Sequence, residues 1–104
     1  MDVVGGDTPL PRDVAEAFME ECPLLMKELQ SAVAQADVDL MGRAAHTLKG
    51  GLRTFGAANV VRVVEALEDL SRQRTVEGAE ELLARLQNAT DRVVAELRAW
   101  CLRL

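Results

Sequence analysis

Between Ala79 and Leu104 a side chain suited to a protein interior returns every three or four residues, at Ala79, Leu82, Leu86, Thr90, Val93, Leu97, Trp100 and Leu104. A spacing near 3.5 residues sustained over that length suits a helix and not a strand, whose faces alternate every second residue. One striped helix cannot bury its own stripe, so the rest of the chain has to supply matching ones. It does so three times. From about Leu10, Val14, Phe18, Cys22, Leu25, Leu29, Val33 and Ala36 form the first, with Arg12, Glu16, Glu20, Lys27 and Gln30 between them. Pro11 suits a first helical turn. Pro23 lies inside the pattern, where a proline removes one hydrogen bond and crowds the preceding turn, and predicts a kink or short break near residues 19–23.

Asp37 is placed to cap a second helix that runs to about Phe55, where Gly56 can take the left-handed position that ends it. Its stripe is Met41, Ala45, Leu48, Leu52 and Phe55. A third helix, about Ala57 to Arg74, carries Val60, Val63, Val64, Leu67 and Leu70 on one side and Arg62, Glu65, Glu68, Asp69 and Arg72 elsewhere; Thr75 is positioned to cap the fourth. No segment alternates like a strand. Four amphipathic helices joined by short loops predict an all-α, antiparallel up-down-up-down four-helix bundle over residues 10–104, preceded by a loosely held, turn-prone lead at residues 1–9. In that arrangement the end of the last helix lies beside the start of the first, bringing Trp100 near Val14 and Phe18. Cys22 and Cys101 then differ by about ten residues in height, roughly 15 Å, too far for a disulfide. They read as buried free thiols, and the methionines as core filling.

Composition removes several functions. A net charge of −5 with three aromatic residues in 104 does not suit the phosphate backbone or the bases of nucleic acid. No apolar run approaches the roughly 20 residues that span a bilayer, and the N-terminus lacks the pattern of a secretory signal, so a cytoplasmic location is expected. Neither a zinc-ligand spacing nor a second histidine is present for a metal site or a hydrolytic constellation. A nucleotide-binding kinase would need a glycine-rich loop between strand and helix, and there is none.

What remains is the segment Ala44-Ala45-His46-Thr47-Leu48-Lys49-Gly50-Gly51, continued by Leu52-Arg53-Thr54-Phe55-Gly56, which holds the only histidine. At about 100° per residue, His46 points roughly 140° away from the middle of the apolar stripe, into solvent. Gly50 and Gly51 each cost a helix about 1 kcal/mol relative to alanine, so helix stability does not explain them. With Lys49 one turn beyond the imidazole, they leave a bare patch on which another molecule can sit closely. Counted outward from Gly56, His46 is ten residues before the turn and Glu68 twelve after it, so the two stand at similar heights, with Glu65 and Asp69 nearby. A carboxylate there can accept the Nδ1 proton and leave Nε2 as an outward nucleophile. Arg43, Lys49 and Arg53 give the same surface a local positive charge suited to a phosphoryl group.

These residues, together with Phe55-Gly56-Ala57 and the Phe18-Met19-Glu20-Glu21 segment, resemble the signature of histidine-containing phosphotransfer domains, the carriers of bacterial multistep phosphorelays. The resemblance covers nearly the whole chain from about Leu10. It implies a four-helix bundle without an ATP site of its own, in which His46 accepts a phosphoryl group from a phospho-aspartate on one receiver domain and donates it to another. It further implies that Lys49 stabilises the phosphoryl group, that Gly50 admits the receiver's loops, and that Glu68 bonds the histidine. The Mg²⁺ of the transfer would belong to the receiver, so no cofactor and no metal ligand are assigned to this chain. A similar Lys-Gly-Gly and Thr-Phe-Gly arrangement occurs in the phosphotransfer module of chemotaxis kinases, where phosphate arrives from ATP through a kinase domain. The Gly5-Gly6-Asp7 lead and the Glu20-Glu21-Cys22-Pro23 stretch look more like the carrier at the end of a hybrid sensor histidine kinase. A helical bundle that only docks on a receiver or kinase, without being phosphorylated, is the alternative from another class. Because the stripes absorb most apolar residues, a monomer is expected, meeting its partner through the outer faces of helices one and two with Arg43, Gly50, Gly51 and Arg53 in the contact.

Overall fold

A computed structural model describes residues 12–55 and 58–103, and among these residues there are four helices and no strand. The lead at residues 1–9, Gly56 and Leu104 lie outside the described residues. The first helix, α1 (Arg12–Ala34), buries Ala15, Phe18, Cys22, Met26, Leu29, Ala32 and Val33. Pro23 sits inside it, and the helix runs through without the short break expected there. Only the bond from residue 23 to the Met19 carbonyl is forfeited, and Pro23 is exposed, where water can satisfy that carbonyl. The buried face differs in phase from the expected stripe at both ends: Val14 is 41% exposed and Ala36 is exposed, while Ala15 and Met26 turn inward.

Ala36 instead ends the helix. It takes a left-handed conformation (φ 54°), its N–H donates to the Val33 carbonyl, and the Asp37 N–H donates to the Ala32 carbonyl at 2.8 Å, the paired bonds of a Schellman cap. Asp37 also starts α2 (Val38–Thr54), its side chain accepting the Leu40 N–H at 3.1 Å. One residue thus closes one helix and opens the next, which makes the connection as short as the sequence suggested. The same cap recurs after α3 (Ala58–Arg72): Arg74 is left-handed (φ 61°), with Arg74 N–H to the Ser71 carbonyl and Thr75 N–H to the Leu70 carbonyl.

Thr75 does not cap the fourth helix. Its hydroxyl accepts the Glu77 N–H at 3.0 Å within the connecting turn, and α4 (Ala79–Leu102) begins only after Gly78, at φ 83°. A threonine hydroxyl serves a turn as readily as a helix start, and the left-handed residue three positions on decides between them. Along α4 the interior residues are Ala79, Leu83, Leu86, Thr90, Val93, Leu97 and Cys101, with Leu82 and Trp100 only half-buried. A straight helix drifts against a strict 3.5-residue repeat, and this drift exchanges Leu82 for Leu83 at one end and Trp100 for Cys101 at the other.

Each helix packs against two others: α1 on α2 and α4, and α3 on α2 and α4. Cross-helix contacts set the directions. Phe18 of α1 meets Gly51 of α2, Gln30 of α1 bonds Gln87 of α4 at 3.2 Å, and the start of α1 (Arg12, Met19) shares a groove with the end of α4 (Cys101, Leu102). Together with the short connections these make neighbours antiparallel, in a ring of 43 × 20 × 18 Å. Val14 borders a groove shared with Phe18, Gly51 and Phe55 on the α2 side. Cys22 and Cys101 are buried free thiols, and burial raises the Cys22 pKa. No helix among the described residues is long and apolar enough to cross a membrane.

Candidate functional site

The rotation of α2 is set by burial. Met41, Ala45, Leu48, Leu52 and Phe55 are each no more than 1% exposed, and turning the helix to hide His46 would bring that row into water at about 1.5–3 kcal/mol per large side chain. His46 is accordingly held outward, its side chain 74% exposed. On α3 the buried pair Val64 and Leu67 performs the same service for the next residue. Glu68 comes to the edge of the α2–α3 groove and is 8% exposed.

The antiparallel pairing of α2 and α3 brings these two together. His46 Nδ1 lies 2.9 Å from Glu68 Oε2, and Lys49 Nζ lies 2.7 Å from Glu68 Oε1. One carboxylate is thus shared between an exposed imidazole and a largely buried ammonium. Burial works to raise the Glu68 pKa, but the hydrogen bonds and charges of Lys49 and His46 outweigh it, and the carboxyl titrates below its ordinary value. Glu68 is therefore ionised at neutral pH. An ionised carboxylate only accepts, so the ring proton sits on Nδ1 and the lone pair of Nε2 faces solvent. Of the three carboxylates at this height, Glu68 alone reaches the ring: Glu65 lies 3.7 Å from Arg53 and Asp69 pairs with Arg72.

The lowered pKa has a measurable consequence. A carboxyl whose folded pKa is depressed contributes stability that is fully present above its unfolded value of about 4.3 and is lost as pH falls through the folded value. Glu68→Gln keeps the shape and removes the charge. It is expected to cost about 1.5–3 kcal/mol at pH 7, the range for hydrogen bonds to charged groups. The gap from wild type should close below about pH 4, as read by denaturant melts across pH; a gap that is constant with pH would contradict the assignment.

The remaining candidates divide. Arg43 is exposed and makes no ion pair among the described residues, and Arg53 is exposed and close to Glu65, so both are available to a partner. Lys49 is turned onto Glu68 and is not freely solvated. The two glycines separate sharply. A Cβ on Gly50 would meet nothing within 4 Å, whereas one on Gly51 would lie 2.6 Å from the Phe18 ring, which is itself tilted against Phe55 with centroids 4.9 Å apart. Gly50 is a gap in the surface; Gly51, grouped with it on the sequence, is the notch that seats α1. Gly51→Ala should therefore destabilise the bundle by about 1–3 kcal/mol through overpacking, measured as a lowered denaturation midpoint, while Gly50→Ala should not. A further contact, between Gly42 of α2 and Ser71 of α3, escaped the sequence reading, where a glycine inside a helical pattern was the only signal. No cluster of three or more metal-ligating side chains occurs among the described residues.

The fold and this surface define a helical bundle built to present one oriented histidine. The sequence profile of the Hpt domain matches residues 13–96, and the chain belongs to that family of phosphotransfer domains. The crystal structure of histidine-containing phosphotransfer protein B (HptB) from Pseudomonas aeruginosa PAO1 aligns with a TM-score of 0.84 at 19% identity, covering 89% of this chain and 81% of that one. At that identity the likeness is one of fold. No curated protein sequence matches the chain.

Proposed function

We propose that this chain is a phosphorelay carrier in which His46 takes a phosphoryl group from the phospho-aspartate of one receiver domain and passes it to the aspartate of another. The observation that carries the reading is the imidazole of His46, exposed at Nε2 and tied at Nδ1 to an ionised Glu68. The Nε2 lone pair attacks phosphorus in line with the aspartyl oxygen. The N–P bond forms as the P–O bond breaks, and the aspartate leaves as a carboxylate. The ring keeps its Nδ1 proton and gains positive charge, which Glu68 offsets. Reversal at a second receiver returns the neutral imidazole.

Lys49 stands one turn from His46 and is positioned to contribute positive charge to the transferring group, joined by Arg43 and Arg53 at the rim. The divalent cation is assigned to the receiver: Glu68, the one carboxylate among the described residues that reaches His46, already accepts from two nitrogen donors. Gly50 gives the receiver's loops clearance. The apolar faces are spent inside the bundle, and among the described residues only Val14, Leu24 and Leu102 are large, apolar and exposed, which supports a carrier that works as a monomer; a cytoplasmic location alongside its receivers belongs to the same proposal.

The test is a phosphotransfer profile against the receivers of the same genome. Incubation with a phosphorylated cognate receiver should give an acid-labile, base-stable label on this chain and a matching loss from the receiver. Tight binding to receivers with no label transferred would replace this reading with that of a docking bundle.

A further inference from the structure

The His46–Glu68 bond depends on how closely α2 and α3 approach, and one turn away the two helices meet without room for a methyl group. Gly42 precedes His46 by four residues and Ser71 follows Glu68 by three, so in an antiparallel pair the two contacts are successive rungs. A Cβ on Gly42 would lie 2.3 Å from Ser71 Oγ and 2.9 Å from Ser71 Cβ. The Ser71 hydroxyl fills that space and donates to the Val38 carbonyl at 2.7 Å, the carbonyl that opens the same turn of α2. Both Gly42 and Ser71 are half-buried, and no catalytic role explains either. A glycine inside a helix costs about 1 kcal/mol relative to alanine, so this position gives up helix stability for interhelical distance.

We infer that Gly42 and Ser71 are positioning residues for phosphotransfer: their contact sets the α2–α3 spacing at which Glu68 holds the Nδ1 proton of His46. A methyl group at residue 42 would have to push α3 outward by a few tenths of an ångström or more. Added to the present 2.9 Å, such a displacement carries the neighbouring His46–Glu68 bond to the long end of the hydrogen-bond range or past it. The reach of Lys49 to Glu68 is less sensitive, because its four-carbon stem can follow the carboxylate. The inference rests on the phosphorelay reading for its rate consequences, but its structural half stands apart from that reading.

The experiment compares wild type, Gly42→Ala, Ser71→Gly and the double variant Gly42→Ala/Ser71→Gly. Nitrogen NMR of labelled histidine reports the His46 tautomer, circular dichroism the helix content, and label uptake from a phosphorylated receiver the rate. Gly42→Ala is expected to keep its helices, lose the fixed Nδ1–H tautomer and transfer about tenfold more slowly, a penalty in keeping with sub-ångström misplacement of a reacting group. The double variant, in which Ser71 Cβ and Oγ are both gone, is expected to regain the tautomer and most of the rate. A folded Gly42→Ala with the wild-type tautomer overturns the inference, as does a folded double variant without it. If Gly42→Ala is too unstable to purify, the double variant still decides. Absence of label on wild type would defeat the phosphorelay reading instead, leaving the tautomer comparison intact.

Discussion

His46→Gln is expected to abolish phosphoryl uptake completely while leaving the bundle within about 0.5 kcal/mol of wild-type stability. The two halves of that expectation have different origins. The stability half follows from exposure: His46 packs against nothing in the core, and its side chain is mostly in water. Its one partner, Glu68, remains bound to Lys49 when the ring is gone, so no buried charge is stranded. The chemical half follows from the elimination of other nucleophiles. The carboxamide lone pair of glutamine is delocalised, the chain has no second histidine, and the two thiols are buried. Label uptake from a phosphorylated receiver, read with a thermal melt of the same preparation, checks both halves. Label persisting on a folded His46→Gln chain would place the acceptor elsewhere. A receiver affinity that survives the substitution is expected, because Arg43, Gly50 and Arg53 around the ring are unchanged.

Much of the architecture was legible because it follows from burial. The α2 stripe from Met41 to Phe55 has a spacing that only one helical phase can hide, and that phase fixes the outward direction of His46. Asp37 was readable as a cap because a carboxylate there has one obvious set of N–H groups to accept. Other features were not local in the same way. Nothing in the residue type of Ala36 or Arg74 announces a left-handed conformation; the caps they form close α1 and α3 through backbone hydrogen bonds alone, so no side chain marks them. Thr75 presented a capping hydroxyl, but Gly78 three positions later decided where α4 begins. The Pro23 segment stayed helical because the missing hydrogen bond falls on an exposed side.

The site was legible to the same degree and failed for the same reason. Counting residues from a turn gives height along the bundle, which placed Glu68 level with His46. Counting cannot show that the other carboxylate oxygen binds Lys49, because that depends on the reach of a flexible side chain across the groove. Nor can adjacency in sequence separate Gly50 from Gly51. Successive helical positions differ by about 100°, enough to turn one toward an arriving partner and the other into the Phe18 ring. Gly42 carried no motif at all, and its part emerges only when α3 is laid against α2.

The separation of the two glycines makes Gly50→Gln the sharpest test of the docking surface. The substitution should stabilise the isolated chain by about 0.5–1 kcal/mol, because glutamine is a good helix former, glycine a poor one, and a Cβ at this position meets nothing. Any loss of transfer therefore cannot come from damage to the fold. Gly50 lies one turn from His46 on the same exposed face of α2, so a side chain there projects into the space that a receiver's loops must enter to bring an aspartyl phosphate in line with Nε2. Displacement by even about 1 Å at this step is worth as much as 100-fold in rate, and that loss is expected in kcat/KM for receiver transfer. Gly50→Ala should fall between, since a methyl group takes only part of the clearance. Small phosphodonors that need no protein contact should label the Gly50→Gln chain at the wild-type rate, because Nε2 itself remains open. A graded loss with receivers, alongside no loss with the small donor and a higher melting temperature, would tie this glycine to clearance for a macromolecular partner. Equal transfer rates across Gly, Ala and Gln would remove Gly50 from the interface and shift the docking surface toward Arg43 on the preceding turn.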